Sequence, residues 1–255
     1  MSRAFRWPIG RMERIARRVY CRTMQRLGFV PTVIRAQGAR FIVDTREYID
    51  RGIALDAIWE GPQIEDLAAV CLGRAVDCFV DVGASSGFYT IMFAIKNLAP
   101  TIIAFEPDPG SHAHLMANLN LNGLANRVSA LDLALGDRDD QVLLYEGHES
   151  NRGESSIAVP DQTPKTKAHR VRQVRFDDQY RWGQKSVVIK MDIEGHELSA
   201  LDGMSPTLVD NDCYVQVELY SDRFEEMRSL FTRFGYRYLR SRNLDHYFTN
   251  MPGIT

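Results

Sequence analysis

The sequence predicts an α/β fold: a doubly wound, mostly parallel, Rossmann-like sheet closed by a C-terminal antiparallel hairpin, with a helical extension at its N-terminus. Three observations predict it. From Asp77 onward, short apolar runs alternate with helix-length segments, the pattern of strands buried on both faces and joined by right-handed crossover helices. The first run opens into a glycine-rich turn, Gly83 to Gly87, and the second ends in an acid, Glu106. The 255 residues, 45% hydrophobic and 25% charged, suffice for one large domain with a short extension.

The N-terminal part stands apart in charge. Residues 1–40 hold ten arginines and one acid, Glu13, whereas the whole chain has a formal charge of −2. The basic character is therefore local, and the near-neutral total gives no reason to expect nucleic-acid binding. Between Gly10 and Gly28, Met12, Ile15, Ala16, Val19, Thr23 and Leu27 recur at helical spacing beside a second stripe of Arg11, Arg14, Arg18, Arg22 and Arg26. This predicts a basic amphipathic helix. Its apolar face is expected to pack on the main domain; the other reading, with Phe5 and Trp7 ahead of the helix, is peripheral contact of residues 1–28 with an anionic membrane. We place the extension at 1–40 and the main domain at 41–255.

No apolar run approaches the ~20 residues needed to span a bilayer, and the N-terminus lacks the apolar stretch of a secretory signal. Cys21, Cys71, Cys78 and Cys213 are scattered, with no C-x-x-C pair to suggest a zinc site or a disulfide framework. A reducing, cytoplasmic setting is expected, with contact at the inner membrane surface under the second reading of the helix.

A short strand near 41–43 and a helical stretch over about 55–72 precede the main sheet. Buried strands are predicted at 78–82, 101–105, 128–131, 187–191 and 214–219, and helices at about 88–97, 110–122, 197–204 and 223–234. The end of the chain reads as a hairpin, 236–240 and 247–250, turning at Asn243-Leu244-Asp245. The polar segment 146–167 reads as a substrate-facing loop, with Asn151-Arg152-Gly153-Glu154-Ser155-Ser156 supplying partners for hydroxyl groups.

The chemistry begins at Asp81-Val82-Gly83-Ala84-Ser85-Ser86-Gly87-Phe88-Tyr89-Thr90. Glycines between a strand and a helix allow a sharp turn and close approach of a ligand to the backbone. Glu106, at the end of the next strand, suits a pair of ribose hydroxyls, so an adenosine-containing cofactor is expected. The loop lacks the second glycine of the dinucleotide fingerprint G-x-G-x-x-G, and no G-K-[ST] phosphate loop is present. None of the tyrosines is followed by Lys four residues on, as a short-chain dehydrogenase requires. A nucleotide-dependent, NAD(P)-type oxidoreductase is the rival enzyme class, and a degenerate, non-catalytic scaffold the rival non-enzyme. An acid leading the loop, Asp81 with Gly83 and Gly87, suits S-adenosylmethionine, whose amino-acid end and sulfonium need carboxylate and backbone contacts.

These stretches resemble the FkbM-type S-adenosylmethionine-dependent methyltransferases. The matching segments are D-V-G-A-S-S-G-F-Y-T at 81–90, A-F-E-P-D-P at 104–109, N-L-N-L-N at 118–122, A-L-G-D at 134–137 and K-M-D-I-E-G-H-E at 190–197. They run in order through about residues 75–250. Family members often carry Asn-Ile where this chain has Ser85-Ser86. The resemblance implies a class I methyltransferase fold, S-adenosylmethionine as donor, and methylation of an oxygen on a sugar, glycan or polyketide hydroxyl. It also implies cofactor contacts from Asp81, Gly83, Ala84, Ser85, Gly87 and Phe88 around the methionine part, Glu106 and Pro107 at the ribose, Ala134 near the adenine, and Asp192.

The 190–197 segment closes the fourth strand at its carboxyl end, where doubly wound folds bind ligands. Alternation puts Val188, Lys190 and Asp192 on one side and Val187, Ile189 and Met191 on the other. A lysine in an apolar strand needs a partner; Lys190 is read either as a structural salt bridge or as a substrate-positioning cation. Asp192, at the strand tip, is the first candidate to accept the proton of an acceptor hydroxyl, and Lys190, Glu194 and Glu218 complete the catalytic set. Glu194 and Glu197 also suit the following helix N-terminus. His196 and His246 are the histidines nearest the expected site. Asp192, Glu194 and Glu218 have the oxygen chemistry of a hard-cation site, although we expect no metal. With neither a [DNS]-P-P-[YF] amine-methylation signature nor a Pro-Cys pair, oxygen is the expected acceptor.

Overall fold

A computed structural model describes residues 4–6, 8–147, 155–157, 167–219 and 223–254. The chain opens with helix α1 (Arg11–Arg26), strands β1 (Thr32–Ala36) and β2 (Ala39–Val43), and helices α2 (Tyr48–Asp56) and α3 (Gly61–Gly73). Next come β3 (Cys78–Val82), α4 (Phe88–Ile95), β4 (Thr101–Phe105), α5 (Pro109–Leu121) and β5 (Ser129–Leu131). Strands β6 (Ala134–Leu135), β7 (Asp140–Tyr145) and β8 (Ala168–Val174) lead to α6 (Phe176–Gln179) and β9 (Ser186–Met191). Helices α7 (Glu197–Asp202) and α8 (Ser205–Asp210), strand β10 (Asp212–Glu218), helix α9 (Phe224–Arg233), and strands β11 (Arg237–Arg242) and β12 (Asp245–Thr249) complete the fold.

The main sheet has seven strands in the order β11-β12-β10-β9-β3-β4-β5. All neighbours are parallel except at β12, which runs against both β10 and β11. The chain winds outward from β3 to β5 and then returns to lay β9 on the other side of β3. Strand order thus reverses between β3 and β9, and the crevice at their carboxyl ends is where such sheets bind ligands.

Side-chain alternation accounts for the layers. Cys78, Val80 and Val82 of β3 join Val187, Ile189 and Met191 of β9 in one core cluster, while Phe79 and Val188 belong to the cluster on the opposite face. Helix α4, apolar except for Tyr89 and Thr90, is buried at every residue but the last, as expected of a helix enclosed by the core. Helix α5 starts where Pro109 sets the first helical φ and Asp108 Oδ1 accepts from Ser111 N at 2.7 Å, a side-chain cap for an otherwise orphan donor.

The strands predicted at 78–82 and 101–105 match in both bounds, and the other main-sheet strands fall within two residues of expectation. Four expectations need correction. The boundary at residue 40 cuts the β1–β2 hairpin, in which Arg35 pairs with Arg40 and Ala36 with Ala39. The helical stretch at 55–72 is two helices, separated by left-handed residues at Ala57 and Glu60. A three-stranded sheet, β6-β8-β7, flanks the segment read wholly as loop; its strands alternate only weakly because they are half-exposed.

The fourth correction concerns α1, which lies the other way round from the first reading. It meets the domain through Glu13, Arg17, Cys21 and Met24, and only Cys21 is buried. Arg17 donates to Arg35 O at 2.6 Å and Ala54 O at 3.3 Å and pairs with Glu13 at 3.4 Å. The apolar stripe faces away: Met12 is 76% exposed, Val19 58% and Leu27 64%. Phe5 is buried, its N–H bonded to Glu65 Oε1 at 2.7 Å, so it is not a free aromatic; Trp7 lies outside the described residues. Among the described residues, no helix is long and apolar enough to cross a membrane.

Candidate active site

The site is assembled at the carboxyl ends of β3, β4 and β9. The N–H groups of Gly83 and Ala84 both donate to Phe105 O, at 2.9 and 3.0 Å, which ties the turn after β3 to the end of β4. Gly83 has φ +81°, and a Cβ there would sit 1.9 Å from Asp192 O. Both the backbone conformation and the contact with β9 therefore require glycine.

Glu106 is buried where β4 ends. Its Oε2 accepts from Ser85 N at 2.7 Å and its Oε1 from Asp108 N at 2.9 Å. Burial pushes its pKa up to about 7 even though both N–H groups favour the charged form. A carboxylate has about four lone-pair sites, so each oxygen keeps acceptor capacity on the cavity that Glu106 lines.

Asp81 is fully buried within β3. Its Oδ2 accepts from Thr90 N at 3.1 Å and Thr90 Oγ1 at 2.5 Å, anchoring the first turn of α4, while its Oδ1 has no hydrogen-bond partner among the described residues. Burial raises its pKa against the opposing pull of Lys190. Gly87, with φ +87°, is the N-cap of α4. Neither Asp81 nor Gly87 lines the cavity; both support its wall from behind, unlike the direct contact implied by resemblance.

Lys190 stands next to Asp81 in the β3–β9 register. Its ammonium lies 3.1 Å from Asp192 Oδ2, 3.3 Å from Gly83 O and 5.4 Å from the centre of the Tyr89 ring. Burial alone would lower its pKa, but the negative charges of Asp192, Asp81 and Glu60 outweigh burial and hold it above the usual lysine value. The salt-bridge reading of this lysine is present in the pair with Asp192, and Lys190 also lines the cavity.

The cavity has a volume of about 430 Å³, within the range of small-molecule sites. Of the expected cofactor contacts, Gly83, Ala84, Ser85, Phe88, Glu106, Pro107, Ala134 and Asp192 line it. Lys190, Glu194 and Glu218 line it too, as do Tyr48, Trp59, Glu60 and Tyr89. Glu218 is pushed up to about 9 by burial and then by Asp192, Asp245 and Glu60. Glu194 has a left-handed backbone, and its carbonyl accepts from Ser156 Oγ at 2.6 Å. Glu197 stays outside, its carboxylate folded onto Gly195 N at 2.7 Å. His196 reaches the cavity with its Nε2 at 2.8 Å from Gln173 Oε1, and burial lowers its pKa. His246 packs on the Phe224 ring and is not in the wall.

In the expected acceptor loop, Ser155 lines the cavity and Ser156 bridges to Tyr145; Asn151, Arg152, Gly153 and Glu154 lie outside the described residues. Among the described residues, no group of three or more His, Cys, Asp or Glu is arranged to hold a metal. Glu60 and Tyr89 are among the cavity residues that sequence reasoning did not select, as are Tyr48 and Trp59. Tyr89 sits inside the glycine-loop motif, and the local signal for Glu60 is Trp59-Glu60-Gly61-Pro62, where one helix must stop and another begin.

Comparison with known proteins finds a matching family and several similar proteins. The methyltransferase FkbM domain matches residues 81–238. "Methyltransferase 1" of Beauveria bassiana is 26% identical over 195 residues, covering 68% of this chain and 73% of its own length. Among solved structures, a methyltransferase FkbM from Methylobacillus flagellatus is 17% identical with a TM-score of 0.47, covering 91% of this chain and 70% of that one. The TYW2 protein of M. jannaschii, in complex with AdoMet, is 14% identical with a TM-score of 0.41, covering 86% of this chain and 83% of its own.

Removing the lysine tests the electrostatics of this site. Lys190→Ala leaves Asp81 and Asp192 without their shared cation and is expected to cost roughly 3–5 kcal/mol of unfolding free energy at neutral pH. The deficit should shrink in acid, because protonated carboxyls need no counter-charge. Urea unfolding of both proteins at pH 7 and pH 4 checks the size and the trend.

Proposed function

The chain belongs to the methyltransferase FkbM family and is an S-adenosylmethionine-dependent methyltransferase, and from that premise we propose that it methylates a hydroxyl of a sugar, a glycan or a related natural product. The observation that carries this reading is the composition of the one cavity that holds both Glu106 and the turn from Gly83 to Ser85. Among the described residues its wall also presents Glu60, Asp192, Glu194 and Glu218 against one lysine, Lys190. Carboxylates and amide groups are partners for hydroxyl donors.

The donor set fits S-adenosylmethionine. Glu106 keeps lone pairs for two ribose hydroxyls, and the excess of carboxylate over cation complements a ligand bearing a sulfonium and an ammonium. A dinucleotide would bring a pyrophosphate to a turn that lacks the G-x-G spacing, which weighs against the oxidoreductase alternative. Glu106 and Pro107 would hold the ribose, the turn from Gly83 to Ser85 the methionine part, and Ala134 the adenine. When bound, the cofactor supplies an electrophilic methyl group. The chain's part is to hold the acceptor oxygen in line, to exclude water behind Phe88, Leu135 and Leu144, and to take up the hydroxyl proton.

Incubation with S-adenosyl-[methyl-³H]methionine and a panel of methyl glycosides should yield a base-stable labelled ether. Label found only on amine acceptors, or on none of the panel, contradicts the hydroxyl reading. By calorimetry, Glu106→Ala should weaken S-adenosylhomocysteine by ~10²-fold or more, since two charge-assisted hydrogen bonds of ~1.5–3 kcal/mol each are lost. Ribose hydroxyls donate to the ionised form, so wild-type affinity should fall by up to ~10-fold per pH unit below about 7. Undiminished binding by the variant, or affinity flat from pH 5 to 8, contradicts the ribose assignment.

A second reading concerns residues 1–28, for which we propose peripheral contact with the anionic inner surface of the cytoplasmic membrane, suited to a lipid-linked acceptor. What supports it is the outward face of α1, where exposed Met12, Ile15, Val19 and Leu27 run beside exposed Arg11, Arg18, Arg22 and Arg26. A second copy of this chain would bring the same arginines together, whereas anionic lipid offers ~1 kcal/mol per nearby basic residue. The protein should float with anionic vesicles at low salt and not with zwitterionic ones, and Met12→Glu with Val19→Glu should abolish flotation. Failure of the unaltered chain to float, or a shift to dimer on sizing, contradicts the reading.

A further inference from the structure

We propose that Glu60, held by Tyr89, is the group that accepts the proton of the acceptor hydroxyl; this rests on the hydroxyl-methylation reading above. Glu60 lies between α2 and α3, ahead of the 81–238 stretch that matches the family domain.

Its backbone is the first observation. At φ 45° and ψ 53°, Glu60 is left-handed, a conformation in which glycine is at ease and a side chain is not. Ala57, three residues earlier, is left-handed as well, so the chain turns sharply twice between the two helices. Such a residue persists when its surroundings over-determine it, and clusters at functional sites. Here the result is a glutamate carboxylate on the cavity wall.

The second observation is its partner. Glu60 Oε2 accepts from Tyr89 Oη at 2.7 Å, and Tyr89 leaves α4 directly after the glycine turn, so Glu60 is tied to the element that shapes the cofactor end of the cavity. The Tyr89 ring also lies beside the Lys190 ammonium.

The third observation is what three of the other cavity carboxylates, Asp192, Glu106 and Glu218, are doing. Asp192 Oδ2 already accepts from Lys190. Glu106 is held by two backbone N–H groups. Glu218 is buried beside Asp192, Asp245 and Glu60, and both burial and these like charges favour its neutral form. His196 has its Nε2 on Gln173.

The groups facing Glu60 are Lys190 from β9, Asp192 directly after that strand, Tyr89 from α4, Asp245 from β12 and Glu218 from β10. Burial raises Glu60, Asp192 and Asp245 add to the rise, and Lys190 and Tyr89 oppose it, leaving it at about 7, a value suited to a proton acceptor working at neutral pH. In the step, the acceptor oxygen forms its bond to the methyl carbon as the carbon–sulfur bond breaks, with the bonding pair left on sulfur. The hydroxyl proton passes to the Glu60 carboxylate, which becomes neutral and later returns the proton to solvent.

The test uses the full chain, tritiated S-adenosylmethionine and the panel of methyl glycosides. Glu60→Gln should lower turnover by ~10²–10⁴ while leaving S-adenosylhomocysteine affinity unchanged by calorimetry. Wild-type turnover should rise with pH through about 7. In Tyr89→Phe the rise should move to higher pH, because a donor to the charged form is gone. Glu60→Gly, which suits the left-handed backbone, should melt no lower than wild type and be as inactive as Glu60→Gln, separating a chemical role from a structural one. Equal label transfer by wild type and Glu60→Gln, or an unmoved pH profile in Tyr89→Phe, overturns this assignment alone. A panel that yields no labelled ether overturns the hydroxyl reading and this assignment with it.

Discussion

The buried ammonium of Lys190 is the interaction on which the site depends. A charge removed from water is expensive unless paired, and here one cation serves Asp81 on the neighbouring strand, Asp192 at the tip of its own strand and the carbonyl of Gly83. That sharing joins the end of β3 to the end of β9 across the switch point of the sheet. It also accounts for the close packing of the Gly83 turn on the Asp192 backbone, where a side chain has no room.

One cation for several carboxylates has a second consequence. Asp81, Glu60, Asp192, Glu218 and Asp245 cannot all be charged at low cost in one partly dry region. Protons are retained where burial is deepest or like charge is nearest, which is why Glu218 and Glu60 move up by different amounts. Two carboxyls with separated proton affinities in one cavity are the usual basis for assigning different acid–base tasks. The surrounding scaffold holds this arrangement through neutral hydrogen bonds as well. The fully buried Asn118 of α5 accepts from Ile42 N of the β1–β2 hairpin at 2.8 Å and donates to Ser86 O of the glycine turn at 2.9 Å. The Asn-Leu-Asn-Leu-Asn segment thus links the N-terminal hairpin to the cofactor turn.

Much of the fold was legible in the sequence because parallel strands buried on both faces write themselves as apolar runs, as at Cys78 to Val82 and Thr101 to Phe105. The glycine turn and Glu106 were legible because their spacing from those strands is set by the sheet. Other features depend on tertiary contact that a single sequence does not display. The two stripes of α1 were visible, but which of its faces meets the domain was decided by a third set, Glu13, Arg17, Cys21 and Met24, through arginine bonds to backbone carbonyls. Asp81 was recognised as important, yet strand alternation turns it toward Thr90 and Lys190, away from the cavity. Glu60 was hidden because its importance comes from a left-handed turn and from Tyr89, 29 residues away. The small sheet was missed because half-exposed strands carry mixed polar and apolar residues at their period.

The most direct measurement of the central claim is the titration of Lys190 itself, followed by carbon-13 and nitrogen-15 NMR of the lysine side chains, with Lys190→Arg used for assignment. If its ammonium is the shared counter-charge of the site, Lys190 will remain protonated to a higher pH than the exposed lysines of the same molecule. A Lys190 that loses its proton before them, as a buried lysine without compensating carboxylates does, would contradict the account.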